Sequence, residues 1–128
     1  MSRTLSTIIS AALVACAIVQ VAAVARAENT LTPDQAPAHI GETATVCGVV
    51  VSTRYATGTK GQPTFLNLHR SYPHQVFTIV IWGSDRPKFG TPEIALMGKN
   101  VCATGTIQTY RGKAEIIATD PRQLGTGP

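Results

Sequence analysis

The chain has 128 residues, with eleven Lys and Arg against seven Asp and Glu and a formal charge of +4. About 100 residues remain beyond position 27, enough for one small domain and too few for two. No apolar run after Ala27 is long enough to cross a bilayer as a helix, so that part is expected to be soluble.

The first 27 residues read as a secretory signal. Arg3 supplies the positive start, Leu5 to Ala25 carries no charge, and Ala25-Arg26-Ala27 places small residues three and one before a cut. An uncut membrane anchor is the alternative that length alone allows. Lipoprotein processing is a second alternative, since Leu13-Val14-Ala15-Cys16 resembles a lipobox. Against it, Ala17-Ile18-Val19 stay apolar where a lipoprotein turns polar. Removal of residues 1–27 takes two arginines and no acid, so the charge falls from +4 to +2. It also removes Cys16 and leaves Cys47 and Cys102. An even pair in a small exported domain reads as a disulfide, with two separate buried thiols as the alternative. Two cysteines make a poor metal site, so no zinc is expected.

The predicted elements follow in chain order. Residues 28–39 are a lead-in with Pro33 and Pro37, in which Thr32 and Pro33 could start a short helix. Thr43 to Thr53 is a β-branched first strand, with Gly48 read as a bend or bulge. Arg54 to Pro63 is a Gly-rich loop. Thr64 to His69 alternates, with Phe65, Asn67 and His69 on one face and Leu66 and Leu68 on the other. A turn around Pro73 leads to a third strand, Val76 to Trp82. Thr91 and Pro92 open one or two helical turns that reach Met97. Lys99 to Gln108 is the fourth strand, with Gly105 inside it. Tyr110 to Lys113 is a tight turn, and Ala114 to Thr119 is the fifth strand. The four residues 125–128 form a frayed tail.

Five strands with a helical insert between the third and fourth match an all-β, five-stranded Greek-key barrel, the OB-fold architecture. Glycines embedded in long strands suit the sharp coiling that a small barrel needs. This places the domain at residues 40–124.

Particular residues carry a closer likeness. Ile40-Gly41-Glu42-Thr43 with Val46-Cys47-Gly48-Val49-Val50, then Pro63 to Leu68 and Phe77 to Trp82, resemble bacterial OB-fold domains of the nucleic-acid-binding-like type. The most specific block is the last: Gly98-Lys99-Asn100-Val101, Thr104-Gly105-Thr106-Ile107, Tyr110-Arg111-Gly112, Ile116-Ile117 and Asp120-Pro121. The likeness covers about residues 38–124. It implies that strands one and four are neighbours, which would bring Cys47 to Cys102. It implies fold far more than activity, because OB barrels host many unrelated functions.

OB barrels bind single strands across strands two and three, between the loops that join strands one–two and four–five. Affinity there comes from a basic groove and from rings that stack bases. The candidate ligand residues are Arg54, Tyr55 and Lys60 of the first loop, Phe65, Asn67, His69 and Arg70 of the second strand and its end, and Tyr110, Arg111 and Lys113 of the last turn. His74 lies in the two–three turn. Each has a plainer reading as barrel packing, turn or solvated surface. Positions 54–113 nevertheless hold eight Lys and Arg against two acids.

No nucleophile motif, metal-ligand spacing or carboxylate pair stands out, so neither an enzyme nor a cofactor is expected. The expectation is an exported, periplasmic or secreted module that binds single-stranded nucleic acid, DNA included, or another polyanion, weakly and without sequence preference. The alternative is a protein-interaction or envelope-stress module whose partner is an envelope protein.

Overall fold

The computed structural model describes residues 30–127, together with residue 12 and residues 14–18. The signal segment, its cleavage site and the last proline lie largely or wholly outside the described residues.

Eight strands form one sheet with little helix. They are β1 (Thr30–Leu31), β2 (Thr43–Tyr55), β3 (Thr64–Leu68), β4 (Phe77–Ile81), β5 (Asn100–Thr106), β6 (Gln108–Tyr110), β7 (Lys113–Ile117) and β8 (Leu124–Thr126). The hydrogen-bonded order is β6-β7-β4-β3-β2-β5-β8, and β1 pairs with β2. The expected five-strand closed barrel is corrected here, because the path is open and the sheet has eight strands, seven on the path and β1 beside it. The predicted fourth strand breaks at Ile107 into β5 and β6, each of which pairs with a different neighbour. The ends of the chain add β1 and β8. Pairing is antiparallel except at β1–β2 and β4–β7.

The core follows from alternation. Leu66 and Leu68 of β3 and Phe77, Ile79 and Ile81 of β4 are fully buried on the inner face. Val46 and Val50, Val101 and Ala103, and Ala114 and Ile116 join them from β2, β5 and β7. Burying one such aliphatic or aromatic side chain is worth about 1.5–3 kcal/mol. The predicted facing of β3 is therefore observed.

β2 is the spine. Its first half pairs with β5 and its second half with β3. The register shifts between Val50 and Ser52, so the bulge sits at Val51 and not at Gly48. Gly48 stays in register with Val101. It is glycine for space, since a Cβ there would come within 2.7 Å of the Pro33 ring. The bulge has a second effect. Side chains alternate with period two, so Ser52 would otherwise share the inner face with Val50; one extra residue sends Ser52 and Arg54 outward.

The lead-in packs on the domain. Leu31, Pro33 and Ala36 are buried, and β1 lies parallel to β2. Its helical turn is a 3-10 turn at Ala36–His39 with Gln35 at the cap, later than Thr32 and Pro33 suggest. Asp34 pairs with His69 at 3.2 Å and with Arg70 at 3.5 Å. The insert between β4 and β5 is α1 (Pro92–Ala95), one turn long, where one or two were expected.

The tail also departs from expectation. β8 pairs with β5, and the Gly127 amide donates to the Asn100 carbonyl. A 3-10 turn at Pro121–Gln123 delivers it. There the Asp120 carboxylate accepts from the Arg122 amide, while Gln123 Oε1 accepts from the Asp120 amide. Hydrogen bonds from Arg122 lower the Asp120 carboxyl to about 2.

Cys47 and Cys102 are directly opposed on β2 and β5 and form a disulfide across 55 residues of chain. Among the described residues, no helix is long and apolar enough to cross a membrane.

The disulfide and the Asp120 cap can each be tested. Closing a loop of this size is worth about 2–4 kcal/mol. Reducing the bond, or changing Cys47 and Cys102 to Ala, should therefore lower the urea midpoint, and the untreated protein should weigh two hydrogens less than the dithiol form. An unchanged midpoint would contradict the bond's structural role. For the Asp120 cap the folded value is depressed, so its stabilisation is complete above the ordinary 3.8 and is lost as pH falls towards about 2. Protection of the β8 amides relative to their intrinsic exchange rates should fall across that window, and Asp120→Asn should show the lower protection at every pH.

Candidate functional site

The outer face of β2, β3, β4 and β7 forms the floor of a groove of about 530 Å³. Strand register builds it row by row. One row runs Ser52, Asn67, Thr78, Glu115 across four strands. The next, two residues along, runs Arg54, Phe65, Val80, Ile117. The β3–β4 loop supplies one wall through Tyr72, Pro73 and Gln75, and the β6–β7 turn supplies another through Tyr110 and Arg111.

The first row is tied together by hydrogen bonds. Thr78 Oγ1 donates to Asn67 Oδ1 at 2.8 Å, and Asn67 Nδ2 donates to Ser52 Oγ at 3.0 Å. The Ser52 hydroxyl also accepts from the Tyr72 amide at 3.2 Å, which anchors the loop wall. Asn67 is buried, so its amide is held by partners rather than offered to a ligand. A second strap comes from β7. Lys113 Nζ donates to the Pro73 carbonyl at 2.7 Å and to the Gln75 carbonyl at 2.9 Å. Its charge lies at the groove, but its protons hold the loop.

The turn at Arg111 and Gly112 has φ of +50° and +76°, the left-handed pair that a two-residue hairpin needs. It leaves Tyr110 exposed, with the Arg111 guanidinium 5.3 Å from the ring centre. Arg54 is exposed on β2, and neither arginine has an ion-pair partner among the described residues. Glu115 is the one carboxylate that lines the groove. Burial pushes its carboxyl above the ordinary 4.5.

Six of the ten sequence-derived candidates thus meet at one groove: Arg54, Phe65, Asn67, Tyr110, Arg111 and Lys113. The other four lie elsewhere. The Tyr55 ring is covered by the Arg86 guanidinium at 3.8 Å, and Arg86 in turn pairs with Glu93 at 2.5 Å. Lys60 lines a shallow depression in the β2–β3 loop. His69 and Arg70 point to Asp34 of the lead-in. Sequence reasoning missed Ser52, Tyr72, Gln75, Thr78 and Glu115. Alternation could have found Thr78, between Phe77 and Ile79, and Glu115, between Ala114 and Ile116. Ser52 could not be found that way, because the bulge reverses its facing.

No family model matches this chain, and no curated protein matches it. Among solved structures it is similar to one assigned as an aspartyl-tRNA synthetase from Leishmania major Friedlin, with a TM-score of 0.54 and 14% identity. The match covers 82% of this chain and 22% of that one. The likeness is one of fold, and this chain spans about a fifth of that protein's length.

The raised Glu115 value has a measurable consequence. The folded chain keeps this proton where the unfolded chain has lost it, so the protonated form favours the fold below 4.5 and that advantage is lost as pH rises through the raised value. Urea unfolding at a series of pH values should show the wild type losing stability just above 4.5 relative to Glu115→Gln. Parallel curves for the two proteins would contradict the burial of this carboxyl.

Proposed function

We propose that this is an exported OB-type module that binds single-stranded nucleic acid, or a like polyanion, in the β2–β3–β4–β7 groove. The carrying observation is the groove itself, which Phe65, Tyr72 and Tyr110 line together with Arg54 of β2 and Arg111 of the β6–β7 turn. Rings offer every base a stacking surface, and the cations match the phosphates that flank it.

The OB-type reading has its own support. The order β5-β2-β3-β4-β7 with β4–β7 parallel matches that of the five strands of an OB fold, left open here, and β5 and β6 together stand for its fourth strand, interrupted at Ile107. The residues of the groove then occupy the usual ligand side of that fold. The structural neighbour is a protein whose name couples it to a tRNA, in keeping with this reading. Export is supported by the order of the N-terminal residues and by the disulfide, which persists in oxidising compartments.

We read the role as binding: the groove holds one carboxylate and no carboxylate pair, and the Lys113 ammonium beside it is engaged by loop carbonyls.

Salt separates this reading from others. Binding of a labelled dT12 by fluorescence anisotropy should weaken steeply as salt rises. Replacing Arg54 and Arg111 by Ala should reduce the slope of log K against log salt by about 1.4, near 0.7 for each phosphate that is no longer neutralised. Phe65→Ala should cost about 1–3 kcal/mol with the slope unchanged. Absence of binding at low salt, or a slope unmoved by the arginine changes, would overturn the proposal.

A further inference from the structure

The floor of the groove contains one carboxylate, Glu115, to which no described residue donates a hydrogen bond. Glu115 stands beside Thr78 in the same cross-strand row. Thr78 has one hydroxyl proton and donates it to Asn67, away from Glu115. Lys113 is two residues along the same strand and face, and it donates to the carbonyls of Pro73 and Gln75. No hydrogen bond reaches the Glu115 carboxylate from any described residue. Its oxygens open into the groove, where donors from a ligand can reach them.

The placement of charge says which part of the ligand supplies them. The cations Arg54 of β2 and Arg111 of the β6–β7 turn are exposed at the two sides of the groove, whereas Glu115 lies on the floor, two residues from Lys113, whose ammonium is engaged by loop carbonyls. A phosphate on that floor would meet like charge. The backbone therefore runs along the arginines, and a base enters with its edge towards Glu115.

We infer that Glu115 makes this groove select guanine over thymine or uracil, by accepting from the N1–H and N2–H donors of a base stacked at Phe65. This rests on the nucleic-acid reading above. A carboxylate has two acceptor oxygens and no donor. The Watson–Crick edge of guanine presents two adjacent donors, which both oxygens can take. Thymine and uracil present one N–H between two carbonyl oxygens, and these oppose a carboxylate. Cytosine and adenine each present one amino group beside a ring-nitrogen acceptor, so they rank between. Recognition of splayed bases by their Watson–Crick edges is the usual way single strands are read.

The test compares dT12 with the same oligonucleotide carrying one central dG, and with one carrying inosine, which lacks the N2 amine. Wild-type protein should bind the dG oligonucleotide about tenfold tighter than dT12, with inosine between them. Glu115→Gln keeps the shape of the side chain and should lose the preference for dG, with a circular-dichroism spectrum like that of wild type and a urea midpoint no lower than that of wild type at neutral pH showing that it is folded. Binding of dT12 with no gain from guanine would overturn this inference alone, as would a preference that survives in Glu115→Gln. Failure of every oligonucleotide to bind would overturn the nucleic-acid reading and this inference with it.

Discussion

The single extra residue at Val51 is the constraint from which the site is built. β2 must serve two partners, β5 along its first half and β3 along its second. Its inward residues, Val46 and Val50, belong to the core. Continued at strict alternation, the strand would bury Ser52 and Arg54 as well, an unpaired hydroxyl and a charge among Leu66 and Leu68. Burial of either without partners costs several kcal/mol. The bulge removes that cost and turns both side chains outward. Ser52 then receives Asn67 and the Tyr72 amide, and Arg54 stands at the groove wall.

The same economy recurs at the other side of the groove. Lys113 bonds two carbonyls of the β3–β4 loop, so the loop that carries Tyr72 is fastened at both sides, by Ser52 from β2 and by Lys113 from β7. The loop is held by polar straps from Ser52 and Lys113, and the exposed groups left over are Tyr72, Tyr110 and two arginines. On the reading proposed above, such a groove draws affinity from stacking and phosphate contacts, and Glu115 is the one carboxylate on its floor.

The disulfide and the two chain ends act on the opposite side of the spine. Cys47 ties β2 to β5 at Cys102, β1 lies along β2, and β8 lies along β5. Pro33 seats against Gly48, where any larger residue would collide. These contacts stiffen the half of β2 that holds no ligand residue and keep the other half in register with β3.

Much of this was legible in the residues themselves. Apolar alternation located the strands within a few residues and the inner face of β3, because burial of Leu66 and Leu68 is a local, periodic requirement. The even cysteine pair pointed to its disulfide, since two cysteines in one small domain allow one pairing. The tight turn at Arg111 and Gly112 was written in its composition. Only the tertiary structure decided the rest. Gly48 looked like a bulge and was a seat for Pro33, a contact between segments that no local pattern encodes. The last residues looked frayed and became β8, because β5 offered an open edge. Among the ligand candidates, charge and ring content named Tyr55, Lys60, His69 and Arg70 as readily as Arg54 and Phe65, but the structure turns the first four to other partners. Residue type determined what chemistry this chain holds; the register of four strands, shifted once at Val51, decided which of those side chains share a face.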